Sequence, residues 1–332
     1  MSRPIPPPVM TCGDPAGTGP ELAAMLAART DMPRFAWLGD PGHLPPGTDW
    51  QAVDSPADAL TLPQGRMAVL PMGFPEPAVP GRPDPGNAPA TVQAIALAVG
   101  LVQAGQAGAV VTAPIAKAVL KSGAGFAFPG HTEFLAHLAG GCEVAMMLAA
   151  PGLRVVPATI HIPLAQVPAA LTAGVLERAI RITRAALIRD FAIPAPRIAV
   201  AGLNPHAGES GTMGDEEITV MIPVLERLRA EGFDLTGPLP ADTMFHAEAR
   251  ARYDAAVCAY HDQALIPLKT LDFHGGVNVT LGLPFVRTSP DHGTGFDIAG
   301  RGIARPDSLA AALVMADDLA RRRAGTAPGT VA

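Results

Sequence analysis

A short apolar run, a turn and a histidine follow one another in Ile198-Ala199-Val200-Ala201-Gly202-Leu203-Asn204-Pro205-His206. The same order recurs where residues 155–160 lead into His161 and where residues 255–260 lead into His261. Short apolar runs bounded by turn residues are typical of buried β-strands. In open α/β sheets, ligands bind beyond the carboxyl ends of the strands. We therefore expect all three histidines at the ligand-binding edge of a sheet.

Three imidazoles delivered in this way can bind one divalent metal ion, because neutral imidazole is a common ligand of zinc and similar ions. The histidines stand 45 and 55 residues apart, so the fold has to bring them together, which excludes a small zinc-finger motif. A single histidine after a strand is more often a hydrogen-bonded loop residue. The histidines alone leave both interpretations open.

Composition narrows the class of protein. A chain of 332 residues predicts two domains or one large domain with ample core. Only 16% of residues are charged and the net charge is −6, without the basic patch that nucleic-acid binding needs. Three widely spaced cysteines do not indicate a disulfide framework.

Residues 85–116 carry no charge, but Gln93, Gln103 and Gln106 interrupt them, and no apolar stretch reaches the about 18 residues of a membrane span. A helix over about 90–103 leading into a strand at 109–112 fits better. The N-terminal residues 1–8 lack the apolar core of a signal peptide. We expect a cytoplasmic protein that does not bind membranes.

Strand-like runs alternate with helical patterns along the chain. Amphipathic spacing predicts one helix over 175–191, and a second is predicted over about 215–231. This alternation is typical of an α/β architecture with a largely parallel sheet.

Two further segments contain residue types that bind anions. The glycine-rich residues 13–21 precede a helical pattern, but their spacing matches neither a dinucleotide fingerprint nor a Walker loop, so a purely structural turn is an equal alternative. The second set suits a phosphate or carboxylate, and its two cations, Lys269 and Arg287, stand in a nearly uncharged stretch: His131, Thr132, Lys269, Asn278 and Arg287.

Residues 291–304 resemble the loop with which isopropylmalate and isocitrate dehydrogenases hold the adenosine part of NAD(P), and residues 13–21 resemble the N-terminal motif of the same enzymes. The chain as a whole, over about residues 9–315, resembles the 4-hydroxythreonine-4-phosphate dehydrogenase family of pyridoxal phosphate synthesis. The motifs that carry this resemblance occur in the family's order at residues 112–117, 129–134, 202–209, 237–243, 260–263 and 282–289.

The resemblance implies an isocitrate/isopropylmalate dehydrogenase-like fold with two α/β domains and a cleft between them. The first domain would comprise residues 1–130 and 286–332 with the dinucleotide loop. The second would comprise residues 131–285 with the metal ligands and the interface of a homodimer whose metal site is shared between subunits.

The resemblance also implies a role for each site residue. His161, His206 and His261 would hold a divalent metal ion, namely zinc, magnesium or cobalt. The substrate would be bound by His131, Thr132, Lys269, Asn278 and Arg287. The NAD or NADP contacts would come from His292, Gly293, Thr294 and Asp297, and the candidates for the general base are Lys117 and Asp242.

The implied reaction is oxidation of the phosphorylated amino acid 4-(phosphooxy)-L-threonine at its secondary alcohol, followed by loss of carbon dioxide. Two departures from the family pattern, Ala116 and Gly295-Phe296, affect a substrate contact and the dinucleotide pose. Paralogous dehydrogenases of erythronate or threonate phosphates, or of cyclic dihydrodiol carboxylates, share the histidines. A three-histidine zinc hydrolase and a phosphate-binding acyltransferase are the rivals from other classes.

Overall fold

The computed structural model describes residues 5–325. Residues 1–4 and 326–332 lie outside the described part. The first half of residues 1–8, for which a signal peptide was considered, and both ends of the first predicted domain therefore lie outside the described residues. The chain forms two compact units: one contains the described residues up to Cys142 together with those from Leu283 onward, and the other is Glu143–Gly282.

The helices and strands alternate along the chain. The strands of the described residues are β1 (Val9–Thr11), β2 (Ala36–Gly39), β3 (Trp50–Ala52), β4 (Met67–Pro71), β5 (Val110–Thr112), β6 (Ala145–Ala150), β7 (Leu153–Pro157), β8 (Arg197–Ala201), β9 (Asp234–Leu239), β10 (Ala255–Cys258), β11 (Val277–Leu281) and β12 (Arg287–Pro290). The helices are α1 (Gly19–Ala27), α2 (Ala88–Gln103), α3 (Lys117–Ala124), α4 (His131–Leu138), α5 (Val167–Ala170), α6 (Ala173–Arg189), α7 (Ile222–Ala230), α8 (Ala247–Arg250), α9 (His261–Leu271) and α10 (Asp307–Arg323).

The first unit has a parallel sheet in the order β3-β4-β2-β1-β5-β12. Strand β1 pairs with β2 on one side and with β5 on the other, so the chain changes direction across the sheet at β1. Such a switch point opens a crevice beyond the carboxyl ends of the strands, where ligands bind in α/β proteins. The glycine-rich residues 13–21 and the start of α3 follow the two strands at this position.

Helix α2 explains the uncharged stretch in the sequence. Residues Pro85–Gln103 are long and apolar enough to cross a membrane by length and composition alone. In the structure α2 packs on β1 and β5, burying Ala94, Ile95, Ala98 and Val99. A helix that is buried along one face packs as a core helix of its unit, so the predicted helix is confirmed, whereas the expectation that no stretch here reaches the length of a membrane span was wrong.

The second unit has a mixed sheet in the order β11-β6-β7-β10-β8-β9. Strands β7, β10, β8 and β9 are parallel, whereas β6 pairs with its neighbours β11 and β7 in the antiparallel sense. Helix α9 packs on this sheet, and its Ala264 and Leu268 join a core that includes Leu148, Val155 and Ala256. The α/β architecture with a largely parallel sheet is confirmed, while the antiparallel β6 was not foreseen.

The structure places α4 in the first unit, although the predicted domain boundary assigns it to the second. The reason is its packing: α4 contacts α2, and its Phe134 ring lies 5.1 Å from the rings of Phe126 and Phe128. Aromatic rings at this distance bury much apolar surface and stabilise an edge-on or tilted pair. The hydrophobic contacts of this helix therefore set the boundary near Cys142.

The helix predicted over 215–231 is divided. A π-helical turn at Glu217–Met221 precedes α7, and Pro223 stands at the start of α7. Proline lacks the N–H that would continue a regular helix, so the preceding turn adopts the wider π form.

Candidate active site

The three histidines follow three neighbouring strands. In the order β7-β10-β8 all contacts are parallel, and His161, His261 and His206 come three to five residues after these strands end. Parallel strands present their carboxyl ends at one edge of the sheet. The expectation that the histidines lie at that edge is met by the strand order.

His161 and His261 form a pair in an open cleft of about 610 Å³. Their ring centroids are 5.7 Å apart and the rings are tilted by 44°. His261 Nδ1 lies 2.7 Å from a carboxylate oxygen of Asp262. Because this hydrogen bond occupies Nδ1, Nε2 is the nitrogen of His261 that can accept a hydrogen bond or bind a metal ion. Ile162 and Leu164 line the same cleft.

His206 lies in a strained loop. Residues His206, Ala207, Gly208, Glu209 and Ser210 all have positive φ values between 39° and 78°. Non-glycine residues in this left-handed region are destabilised by about 1–3 kcal/mol each and persist only where surrounding contacts enforce them. His161 also has a positive φ, of 54°. Such strain in two of three candidate ligands supports a functional interpretation of these loops.

The His206 loop is held by Asn204 and two glutamates. The Asn204 backbone N–H donates to Glu217 Oε1 at 2.8 Å, and its Nδ2 donates to Glu217 Oε2 at 2.9 Å and to Glu216 Oε2 at 2.7 Å. Glu217 is buried and Glu216 is half-buried. A Cβ on Gly208 would lie 2.7 Å from Glu217 Oε2, so the loop closes tightly over this carboxylate. Sequence reasoning missed this anchor because Glu216 and Glu217 resemble ordinary acidic residues at a helix start.

A second set of buried hydrogen bonds connects the segments that lead to the three histidines. We call the residues that form these bonds the histidine clasp: Thr159, Gly202, Ala259 and Gln263. Ala259 N–H donates to Gln263 Oε1 at 2.7 Å, and Gln263 Nε2 donates to the Gly202 carbonyl at 2.7 Å. The Ala259 carbonyl accepts from the Thr159 hydroxyl at 2.7 Å. In the sequence, this clasp is indicated by the apolar residues that follow Gln263 on α9.

The donors fit a divalent metal ion in kind, but within residues 5–325 no group of three or more His, Cys, Asp or Glu side chains lies close enough to hold one. The structure brings together His161 and His261 and places His206 in the loop after the adjacent strand. Metal binding by all three histidines stays a prediction.

In the first unit, four residues with anion-binding chemistry cluster, and we call them the anion group: Lys117, His131, Thr132 and Arg287. Arg287 begins β12 and is only 2% exposed, with Nη2 donating to the Thr112 hydroxyl at 2.5 Å. Burial lowers the pKa of Arg287, and the Glu133 carboxylate opposes this shift. A cation this deeply buried favours an anionic partner.

His131 is kept neutral by its surroundings. Burial lowers its pKa well below the usual value, and the positive charges of Arg287 and Lys117 lower it further. Its Nε2 is buried and has no hydrogen-bond partner among the described residues. His131 and Thr132 form the first turn of α4, whose backbone N–H groups favour negative charge.

Lys269 and Asn278 belong to the second unit. Lys269 lies in the last turn of α9, with Nζ 5.7 Å from the Phe273 ring centroid. Asn278 lies on β11, and its buried Oδ1 has no hydrogen-bond partner within the described chain. Asp242 is exposed on a helical turn, Ala241–Thr243, that packs against the His206 loop.

The predicted dinucleotide loop lies against the start of α1. The Thr294 carbonyl accepts from the Thr18 backbone N–H at 2.9 Å, and a Cβ on Gly17 would lie 2.9 Å from the same oxygen. Gly295, one of the two departures from the family pattern, has a φ of +60° and faces Thr18. His292, Gly293 and Asp297 are exposed.

A cavity of about 520 Å³ adjoins this loop in the same unit, next to Gly300 and Gly302. Its lining includes Glu21, which accepts from the Gly300 N–H at 2.8 Å and whose other oxygen has no partner among residues 5–325. His43 also lines it, and burial lowers the pKa of that imidazole. The cavity is large enough for part of a dinucleotide.

Three comparisons relate the chain to known proteins. The family described as pyridoxal phosphate biosynthetic protein PdxA matches residues 37–316. The 4-hydroxythreonine-4-phosphate dehydrogenase of Paracoccus denitrificans is 64% identical, covering 97% of this chain and 99% of that protein.

Solved structures give the same relationship. A crystal structure of 4-hydroxythreonine-4-phosphate dehydrogenase from Klebsiella pneumoniae superposes with a TM-score of 0.88 at 38% identity, covering 95% of this chain and 99% of its own. A terephthalate 1,2-cis-dihydrodiol dehydrogenase from Burkholderia xenovorans gives 0.66 at 29% identity, with 97% and 98% coverage. Of these two dehydrogenases, the former is more similar in fold and sequence.

Proposed function

Because the chain belongs to the PdxA family of pyridoxal phosphate biosynthetic proteins, we propose that it oxidises 4-(phosphooxy)-L-threonine with NAD or NADP. The product, 2-amino-3-oxo-4-(phosphooxy)butanoate, then loses carbon dioxide to give 3-amino-2-oxopropyl phosphate. The observation that carries this proposal is the 64% identity along 97% of the chain to a dehydrogenase of that substrate. We propose that it acts in the cytoplasm.

The anion group is the proposed phosphate site in the first unit. Arg287 supplies a buried positive charge, while neutral His131 and the Thr132 hydroxyl supply hydrogen bonds of fixed direction. Donors that are held in place before binding lose little freedom when the substrate binds, so they position the substrate carbon for reaction. Lys269 and Asn278 are the proposed substrate contacts of the second unit, where the orphaned Asn278 Oδ1 suits an amino-group donor.

The histidines are the proposed metal ligands. Bound by His161, His206 and His261, zinc, magnesium or cobalt would supply Lewis acidity that lowers the pKa of the substrate alcohol and polarises the ketone. Asp262 orients the His261 ring for this role. Lys117 and Asp242 are the proposed candidates for accepting the alcohol proton, and both are exposed.

NAD or NADP would accept the hydride, held by His292, Gly293, Thr294 and Asp297. The fit is supported by the adjoining cavity, whose Glu21 carboxylate has an acceptor to spare for a ribose hydroxyl. The contact between Thr294 and Thr18 keeps this loop against α1.

We further propose a homodimer that shares the metal site. The exposed apolar side chain of Leu164, 67% accessible, and that of Ile162 lie in the wall of the histidine cleft. Apolar side chains beside a polar site suit an interface with a second copy.

The test is an assay at the reduced-nicotinamide absorbance band. Purified protein with divalent metal should reduce NAD or NADP with 4-(phosphooxy)-L-threonine. Parallel reactions contain erythronate 4-phosphate, threonate 4-phosphate or a cyclic dihydrodiol carboxylate. Turnover only with a substrate that lacks the amino group would overturn the substrate assignment while keeping the dehydrogenase family.

A further inference from the structure

We propose that Gln263 is a positioning residue, whose side-chain amide fixes the His206 segment relative to the His261 segment before any metal ion binds. This inference rests on the proposed metal-binding role of the histidines. Gln263 stands on α9, two residues after His261, and is 9% exposed.

The histidine clasp continues the hydrogen bonding between two segments past the point where the pairing of β8 and β10 ends. The last paired residues of β8 and β10 are Val200 and Val257, and beyond this pair the two segments continue to His206 and His261. Gln263 bonds to Ala259 on one chain and to Gly202 on the other, which lie two residues past that last pair. A side-chain amide has the donor and acceptor of a peptide group, so Gln263 supplies one further cross-link between the two segments.

The third histidine is connected through the same residue, Ala259. The Ala259 carbonyl accepts from both the hydroxyl and the backbone N–H of Thr159, at 2.7 and 3.2 Å. Thr159 stands two residues before His161, and Ala259 stands two residues before His261. One buried residue, Ala259, is therefore bonded toward all three candidate ligands, directly or through Gln263.

The cross-link from Gln263 to Gly202 matters because the His206 loop that follows Gly202 is strained. The left-handed residues after Asn204 are held at one point by Glu217 and at the other by the bond from Gln263 to Gly202. Removing the second point frees the segment to relax toward ordinary φ values. Side chains that orient metal ligands act in this way, and their loss weakens metal affinity by roughly 10–100-fold.

Two substitutions separate positioning from filling of the core. Gln263→Met keeps the length of the side chain but removes both hydrogen bonds. Gln263→Glu keeps the acceptor for Ala259 and places an oxygen against the Gly202 carbonyl, so it breaks only the cross-link. Gln106→Met is the matched control, since Gln106 is exposed in the other unit.

The experiment measures backbone amide hydrogen exchange of the metal-free protein and then zinc affinity by calorimetry, neither of which uses substrate. We expect both Gln263 variants to exchange faster at residues 203–211 and to bind zinc roughly 10–100-fold more weakly, while the remaining strands of the unit stay protected. Gln106→Met should match the wild type.

Unchanged exchange at 203–211 together with unchanged zinc affinity in Gln263→Glu would overturn the proposal. A uniform rise in exchange across β7, β8 and β10 in both variants would also overturn it, because it would indicate a general structural role. Should the wild type bind zinc but fail to oxidise any substrate offered, the proposed function fails while this inference stands.

Discussion

The anion group of the first unit and the histidine segments of the second unit are built in opposite ways. Arg287 and His131 lie on a strand and at a helix start with ordinary backbone geometry. They are unusual because Arg287 is buried and because burial and the charges of Arg287 and Lys117 lower the pKa of His131. His161 and His206 instead have left-handed backbones, and the side chains of Glu217 and Gln263 hold the segment that carries His206. The anion group therefore depends on where charge is buried, and the histidine segments depend on how their loops are held.

The largest effect is expected from His206→Ala. If the strained loop exists to present this imidazole, its removal should lower turnover by more than the roughly 100-fold associated with partners that only orient ligands. Bound metal per subunit should fall in parallel, measured by elemental analysis. His246→Ala is the control, an exposed histidine of the same unit. Full turnover and full metal content in His206→Ala would show that the strained loop does not serve to present this imidazole to a metal ion.

Arg287→Met tests the other region. Loss of a charge-assisted contact of about 1.5–3 kcal/mol should raise the KM for the phosphorylated substrate by roughly 10–100-fold. The affinity for zinc should stay at the wild-type value, because the histidines belong to the other unit. Arg82→Met provides the control with an exposed arginine. An unchanged KM would exclude Arg287 from phosphate binding.

Glu217→Ala tests how much the hydrogen bonds that hold the His206 loop contribute to stability. Two donors of Asn204 lose their buried carboxylate, so the free energy of unfolding should fall by about 3 kcal/mol, as measured by urea denaturation. Glu216→Ala, which removes one bond at a half-buried site, should lower it by about 1 kcal/mol. Equal effects of the two substitutions would contradict the assignment of Glu217 as the main anchor of the loop.

The smallest effect concerns pH and the anion group. Because burial lowers the pKa of His131 in the folded state, the unfolded chain binds a proton at higher pH than the folded chain does. Stability should therefore be lost as pH falls below about 6.5, the value for an unperturbed histidine. His131→Asn should show a shallower loss between pH 7 and pH 5 in thermal unfolding. Parallel pH curves for the two proteins would show that His131 is not held neutral.

The two regions also differ in how far sequence reasoning reached. Strand endings before His161, His206 and His261 followed from apolar runs and turns, and those strands are present. Arg287 was singled out because it stood in an uncharged stretch, and it is buried. The predicted boundary at residue 131 assigned α4 to the second unit, whereas the structure assigns it to the first, because its packing on α2 joins separate segments of the chain and is not visible as a local pattern.

The sequence by itself determined the α/β architecture and the residue types at the strand ends, because periodicity and turn chemistry are local properties of the chain. It also determined the family, because its motifs occur in one order along nearly the whole length. The tertiary structure alone decided that β7, β10 and β8 are neighbours, that Gln263 joins Ala259 to Gly202, and that the His206 loop is left-handed. The strand order and the histidine clasp depend on hydrogen bonds between residues far apart in the sequence, 61 positions for Gln263 and Gly202 and 100 for Thr159 and Ala259, whose partners only the folded chain brings together.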